Sequence, residues 1–114
     1  MSFADIPELD YKEAVARMCG DEELYREALR MSAEQIPAIA NELDAQLSGN
    51  DLANYAISVH GLKGALNTIG AAGLALTADA LCKSARAEDK AAVAAGWAEF
   101  KPKLLEFASK LSEA

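Results

Sequence analysis

His60 is the chain's only histidine, and Lys63 and Gly64 follow it by three and four residues. Imidazole is a good nucleophile near neutral pH, where a large fraction is unprotonated. On a helix, a lysine three residues on shares the histidine's face. Its ammonium then stands beside anything attached to His60, and a phosphoryl group there would gain a charge-assisted contact. Gly64 removes a side chain one turn beyond His60 and clears room for a bulky partner. It costs about 1 kcal/mol of helix stability relative to Ala, so a structural role alone explains it poorly. Asn67 could donate a hydrogen bond to a phosphoryl oxygen. These residue types suit nucleophilic chemistry at His60, with a cation and cleared space beside it.

A helix must position them. Between Asp51 and Asp79 the only formal charge is Lys63. On a wheel of about 100° per residue with Tyr55 at zero, Leu52, Val59, Leu62, Leu66 and Ile69 fall within roughly -40° to 60°. That arc is the expected core face. Lys63, Ala56, Asn67, His60 and Gly64 follow at about 80°, 100°, 120°, 140° and 180°. They form one stripe along its border, and His60 is expected to reach solvent.

Punctuation in the rest of the chain predicts four more helices. Asp10 and Glu13 resemble a capping box, and Gly20 suits a stop, giving a short helix from about Asp10 to Cys19. Asp21 can cap a second helix reaching Ser48-Gly49-Asn50, with a kink or change of direction expected at Pro37. Asp51 opens the third, to about Thr68 before Gly70. The fourth spans about Ala71 to Ala87. The fifth runs from about Lys90 to Leu111, bent at Pro102, with Trp97, Phe100 and Phe107 at core spacing. No strand-like alternation, repeat or linker is visible. Short connections between long helices imply an all-α, antiparallel up-down four-helix bundle capped by the short first helix.

Composition removes other classes. The chain has 114 residues, which fits a single domain over 1–114. Its net charge of -7 makes it a poor non-specific nucleic-acid binder. The uncharged stretch from Gly64 to Ala78 is too short for a membrane span, which needs about 20 apolar residues. Cys19 and Cys82 are far apart and Met1 opens no basic or apolar leader, so a reducing cytoplasm is the expected setting. Met1 and the chain length favour a free-standing protein, and a monomer is expected.

His60-Gly61-Leu62-Lys63-Gly64, with Gly70 ten residues after the histidine, resembles the His-x-x-Lys-Gly motif of histidine-containing phosphotransfer (HPt) domains. The likeness extends through Gly20-Asp21-Glu22-Glu23-Leu24-Tyr25, the second helix with its proline, Asn50-Asp51, and Ile69-Gly70-Ala71 leading to Leu74, Leu81 and Ala85-Arg86. It implies a surface histidine, His60, that carries a phosphoryl group between receiver domains, from a hybrid sensor kinase to a response regulator. Lys63 would stabilise that group and Gly64 would admit the receiver. No nucleotide or cofactor is implied, and the divalent metal belongs to the receiver. In agreement, the chain has no phosphate-binding Gly-rich loop and so no ATP site of its own. Ala56, with Lys83 and Arg86 at the rim, is the expected partner surface. Two residues depart from the pattern. Cys82 stands where many members carry glutamate, and Gly61 where a larger residue is common.

Three other classes fit less well. A metal-binding bundle needs clustered ligands such as Glu-x-x-His pairs, and Ile57 precedes His60 at that spacing. A Ser-His-Asp hydrolase lacks its nucleophile-elbow pattern here. The main alternative is a non-catalytic helical module that binds a receiver or kinase without carrying phosphate.

Overall fold

The computed structural model describes residues 2–114. A 3-10 turn, Phe3–Asp5, precedes α1 (Tyr11–Arg17), α2 (Glu22–Ser48), α3 (Leu52–Thr68), α4 (Ala72–Arg86) and α5 (Lys90–Glu113). No strand occurs among the described residues.

The helices begin where the aspartates predict. Asp10, Asp21 and Asp51 each accept a bond from the backbone N–H three residues on, of Glu13, Leu24 and Asn54. Asp89 does the same for Ala92. Each such cap satisfies one of the unpaired donors of a helix start and contributes about 1 kcal/mol. The short 3-10 turn is absent from the sequence expectation. Asp5 holds it by accepting from the backbone N–H and hydroxyl of Ser2.

Helix ends differ from expectation in one respect. Gly20 after α1 (φ 76°) and Gly70 after α3 (φ 84°) take the left-handed conformation expected of a glycine stop, but non-glycine residues take it too: Cys19 beside Gly20 (φ 58°), Asn50 after α2 (φ 57°) and Glu88 after α4 (φ 58°). The next N–H then bonds back to the last turn: Asp51 to Gln46, Ala71 to Leu66 and Asp89 to Ser84, at 2.8, 2.8 and 3.0 Å. That N–H belongs to the residue that opens the following helix, so each connection is as short as such a cap allows.

Pro37 and Pro102 do not end their helices. Pro37 lies inside α2, which runs on to Ser48, and Pro102 lies inside α5. A proline removes one helical hydrogen bond. Burial of Ile36 and Ala40 on either side of Pro37 keeps both halves of α2 on the same core.

Each of α2 to α5 packs on two others: α3 on α2 and α4, and α5 on α2 and α4. Tyr55, Leu62, Leu66, Leu43, Leu104 and Phe107 fill the space between them with no exposed surface. Trp97 and Phe100 are buried, as their spacing predicts, and the Trp97 ring packs edge-on against both Tyr55 and Phe100. At one end the Lys90 ammonium donates to Asn50 Oδ1, which joins the α2–α3 and α4–α5 connections. At the other, the N-terminal segment ties down the end of α3. Arg17 donates to the Asn67 carbonyl at 3.1 Å, and the Asp10 N–H to the Gly70 carbonyl at 3.0 Å.

Tyr25 completes this clamp. Its buried hydroxyl donates to the Ile69 carbonyl at 2.6 Å. Burial, then the neighbouring Tyr11, pushes its phenol up to about 12, so it stays a donor at neutral pH. Tyr25→Phe leaves a buried carbonyl without its partner. Urea unfolding is expected to show a loss of about 1–2 kcal/mol. A loss of no more than a few tenths would mean that the clamp contributes nothing.

Candidate functional site

His60 lies on α3 with its side chain exposed. Its neighbours on the helix explain why. Val59 and Leu62 have no exposed surface and fix the core side of α3, which turns His60 outward. No hydrogen bond holds its imidazole among the described residues.

The sequence wheel places the rest of the stripe correctly, with one exception. Gly64 is exposed, and a Cβ built on it meets nothing within 4 Å. The glycine therefore answers no packing need in the chain itself. Asn67 is exposed, with its backbone carbonyl taken by Arg17. Ala56 is the exception. It is only 5% exposed, and its carbonyl accepts from the Cys82 thiol at 3.5 Å. It floors the groove between α3 and α4, because at about 100° from the core centre α4 covers it. Cys82 is itself buried. Where the resemblance leads one to expect a glutamate, this chain has a small residue packed inside, beneath the surface that carries His60.

Lys63 is engaged. Its Nζ lies 3.2 Å from Asp79 Oδ1 on α4. Lys83, one turn on from Asp79, lies 3.0 Å from the other oxygen, Oδ2. Asp79 is thus shared by two lysines. Bonds from Lys83 and then Lys63 hold its carboxyl below the usual carboxylate range. Arg86 is exposed at the end of α4, beside Leu52, Ala53 and Ile57.

Three residues of this surface escaped the sequence expectation. Ile57 and Leu76 are 69% and 73% exposed, which is unusual for large apolar side chains. Ile57 is one turn before His60, and Leu76 lines a groove with Lys63, Asn67, Ala75 and Asp79. The wheel carries the signal for Ile57, which falls at about 200°, opposite the core arc. Asp79 carries none, because its link to Lys63 crosses between helices.

Around His60, α3 and α4 therefore present small and apolar residues, three cations (Lys63, Lys83, Arg86) and one carboxylate (Asp79). The chain as a whole bears -7. Among the described residues no cluster of three histidine, cysteine or carboxylate groups is placed to hold a metal ion. No helix among them is long and apolar enough to cross a membrane.

A family model described as the Hpt domain matches residues 23–113. No curated protein and no solved structure matches the chain. The match spans α2 almost from its start to the end of α5, and includes the exposed histidine, its lysine and the cleared glycine. The chain belongs to the Hpt domain family, the histidine phosphotransfer domains of phosphorelays.

Proposed function

We propose that this protein is a histidine phosphocarrier and that His60 carries the phosphoryl group between receiver-domain aspartates, from a hybrid sensor kinase to a response regulator. One observation carries the reading. In a chain of this family, the only histidine is exposed, without a hydrogen bond among the described residues, on a surface of small and apolar residues edged by cations, and one turn from a lysine.

The step is an in-line exchange. A nitrogen of His60 attacks the phosphorus of the receiver's aspartyl phosphate. The P–N bond forms, the P–O bond breaks, the receiver's carboxylate is regenerated and the imidazole N–H proton leaves to water. The reverse step loads the next receiver. Such transfers depend mainly on positioning and charge stabilisation. The receiver brings its divalent metal. This chain supplies the nucleophile, the Lys63 cation and a surface the receiver can approach. It has no reaction with ATP in this scheme and needs no cofactor of its own.

Ile57 and Leu76 supply apolar contact, and Lys83 and Arg86 meet an acidic partner at the rim, where charge acts mostly on association rate. Asn67 reaches a phosphoryl oxygen from the same stripe. The fold suits this use. Three minimal connections and the helix ends tied at each pole support an antiparallel bundle over the whole chain, with α3 held rigid. We place the protein in the cytoplasm, as a monomer.

Gly64 separates this function from stability. Gly64→Ala is expected to raise unfolding stability by about 1 kcal/mol, since the added methyl meets open space in the free protein. The same methyl lies where the receiver must dock, and transfer is expected to slow about tenfold. Thermal unfolding and quenched-flow transfer from a labelled receiver measure the two effects. A stabilised variant that transfers at the wild-type rate would remove Gly64 from the docking surface. Binding of a receiver without any transfer to the wild type would instead favour the adaptor reading.

A further inference from the structure

We infer that Asp79 is a positioning residue of the phosphotransfer site, which draws the Lys63 ammonium across the α3–α4 groove and competes with the phosphoryl group on His60 for it. The inference rests on His60 being the phosphorylated residue.

The geometry gives Asp79 this role. Lys63 can serve a group on His60 because the two residues are one turn apart on α3. Its ammonium is nevertheless directed at Asp79 Oδ1, at 3.2 Å, on the neighbouring helix. The pair is about 70% covered on both sides, 28% and 29% exposed, so it is more than a passing surface contact. A phosphoryl group near neutral pH bears close to two negative charges, against one on the carboxylate. It therefore draws Lys63 away once it forms.

Lys83 makes that exchange inexpensive. It holds the second oxygen of Asp79 at 3.0 Å from within α4. When Lys63 turns to the phosphoryl group, the carboxylate keeps one counter-ion and is not left unpaired. Lys83 is itself 77% exposed and free to follow Asp79. Asp79 thus sets how firmly the carrier keeps its load. A retained carboxylate makes phospho-His60 a better donor, and a removed one makes it a better store.

Removing the carboxylate is expected to shift the phosphoryl equilibrium toward this chain. With one receiver as donor, Asp79→Asn should raise the phosphorylated fraction ratio about three- to fivefold, the range of a partly exposed ion pair. Asp79→Glu, which can still reach Lys63, should restore most of the wild-type ratio. Lys63→Gln should lower the ratio, and adding Asp79→Asn to Lys63→Gln should change nothing further. This cycle separates an action through Lys63 from a direct effect of the carboxylate charge. No shift in Asp79→Asn, or an equal shift with and without Lys63, would overturn the inference.

A second readout keeps this result apart from the identity of the partner. Phosphoramidate, a small-molecule phosphoryl donor that loses ammonia, can load His60 without a receiver. The 31P titration of the loaded proteins then reports the charge beside the phosphoryl group. Asp79→Asn should lower its midpoint only where Lys63 is present. A lowered midpoint with Lys63 absent, or none with it present, would again overturn the inference. If no receiver loads the wild type but these 31P shifts appear, the phosphorelay reading fails and the Asp79–Lys63 competition stands.

Discussion

His60→Gln is expected to abolish phosphoryl acceptance and to leave the fold in place. The loss is complete because no second nucleophile replaces it. His60 is the only histidine. Of the two cysteines, Cys82 is buried and Cys19 lies beyond α1, remote in sequence from α3. The unchanged fold follows from the exposure of His60 and from the lack of any bond to its imidazole among the described residues. Gln also has a slightly better helix propensity than His. Unfolding stability should stay within about 0.5 kcal/mol of wild type. Gln keeps a polar surface of similar size, so receiver binding should survive while labelling disappears. Calorimetry of binding and a labelled-receiver assay check both halves. Residual label on the variant would place the acceptor elsewhere.

Gly70→Val is expected to have the largest effect on stability, through two separate causes. Gly70 has φ 84°, a left-handed conformation that a β-branched residue adopts at a cost of about 1–3 kcal/mol. A Cβ there would also lie 3.0 Å from Ala14 Cβ and 3.2 Å from the Asp10 carbonyl oxygen. Ala14 is fully buried, and Asp10 is tied to Gly70 through its N–H, so neither can yield without releasing α1. The combined loss should be about 3–4 kcal/mol in chemical unfolding. Gly20→Ala isolates the first cause. Gly20 has φ 76° but no atom near its missing Cβ, so about 1 kcal/mol is expected. Equal losses in the two variants would mean that α1 does not close on the end of α3 as described.

The contrast between these two glycines marks what the sequence could disclose. Both read as helix stops, and both take positive φ. Only the fold shows that Gly70 is also a contact, because its neighbour Ala14 is more than fifty residues away in sequence. The same division runs through the site. His60, Lys63, Gly64 and Asn67 lie on one helix, and a single periodicity orders them. Their exposure, and the aspartate caps that start α1, α2, α3 and α5, are local consequences of residue type. Ala56 was misread because the wheel gives its angle but not how far α4 overlaps it. Cys82 is buried, as cysteines commonly are, and needs no long-range information to be placed inside. Asp79 shows the limit most clearly. Its pairing with Lys83 is an i,i+4 relation visible in the sequence, whereas its hold on Lys63 depends on how α3 and α4 are set side by side.

The central claim is that His60 itself receives the phosphoryl group. Exposing the wild-type protein to a panel of phosphorylated receiver domains, and locating the transferred group by tandem mass spectrometry without acid, tests it directly. The account predicts one phosphoryl group, on the peptide that contains His60, lost in acid and stable in alkali. A group found on another residue, or no group on a protein that binds a phosphorylated receiver, would contradict it.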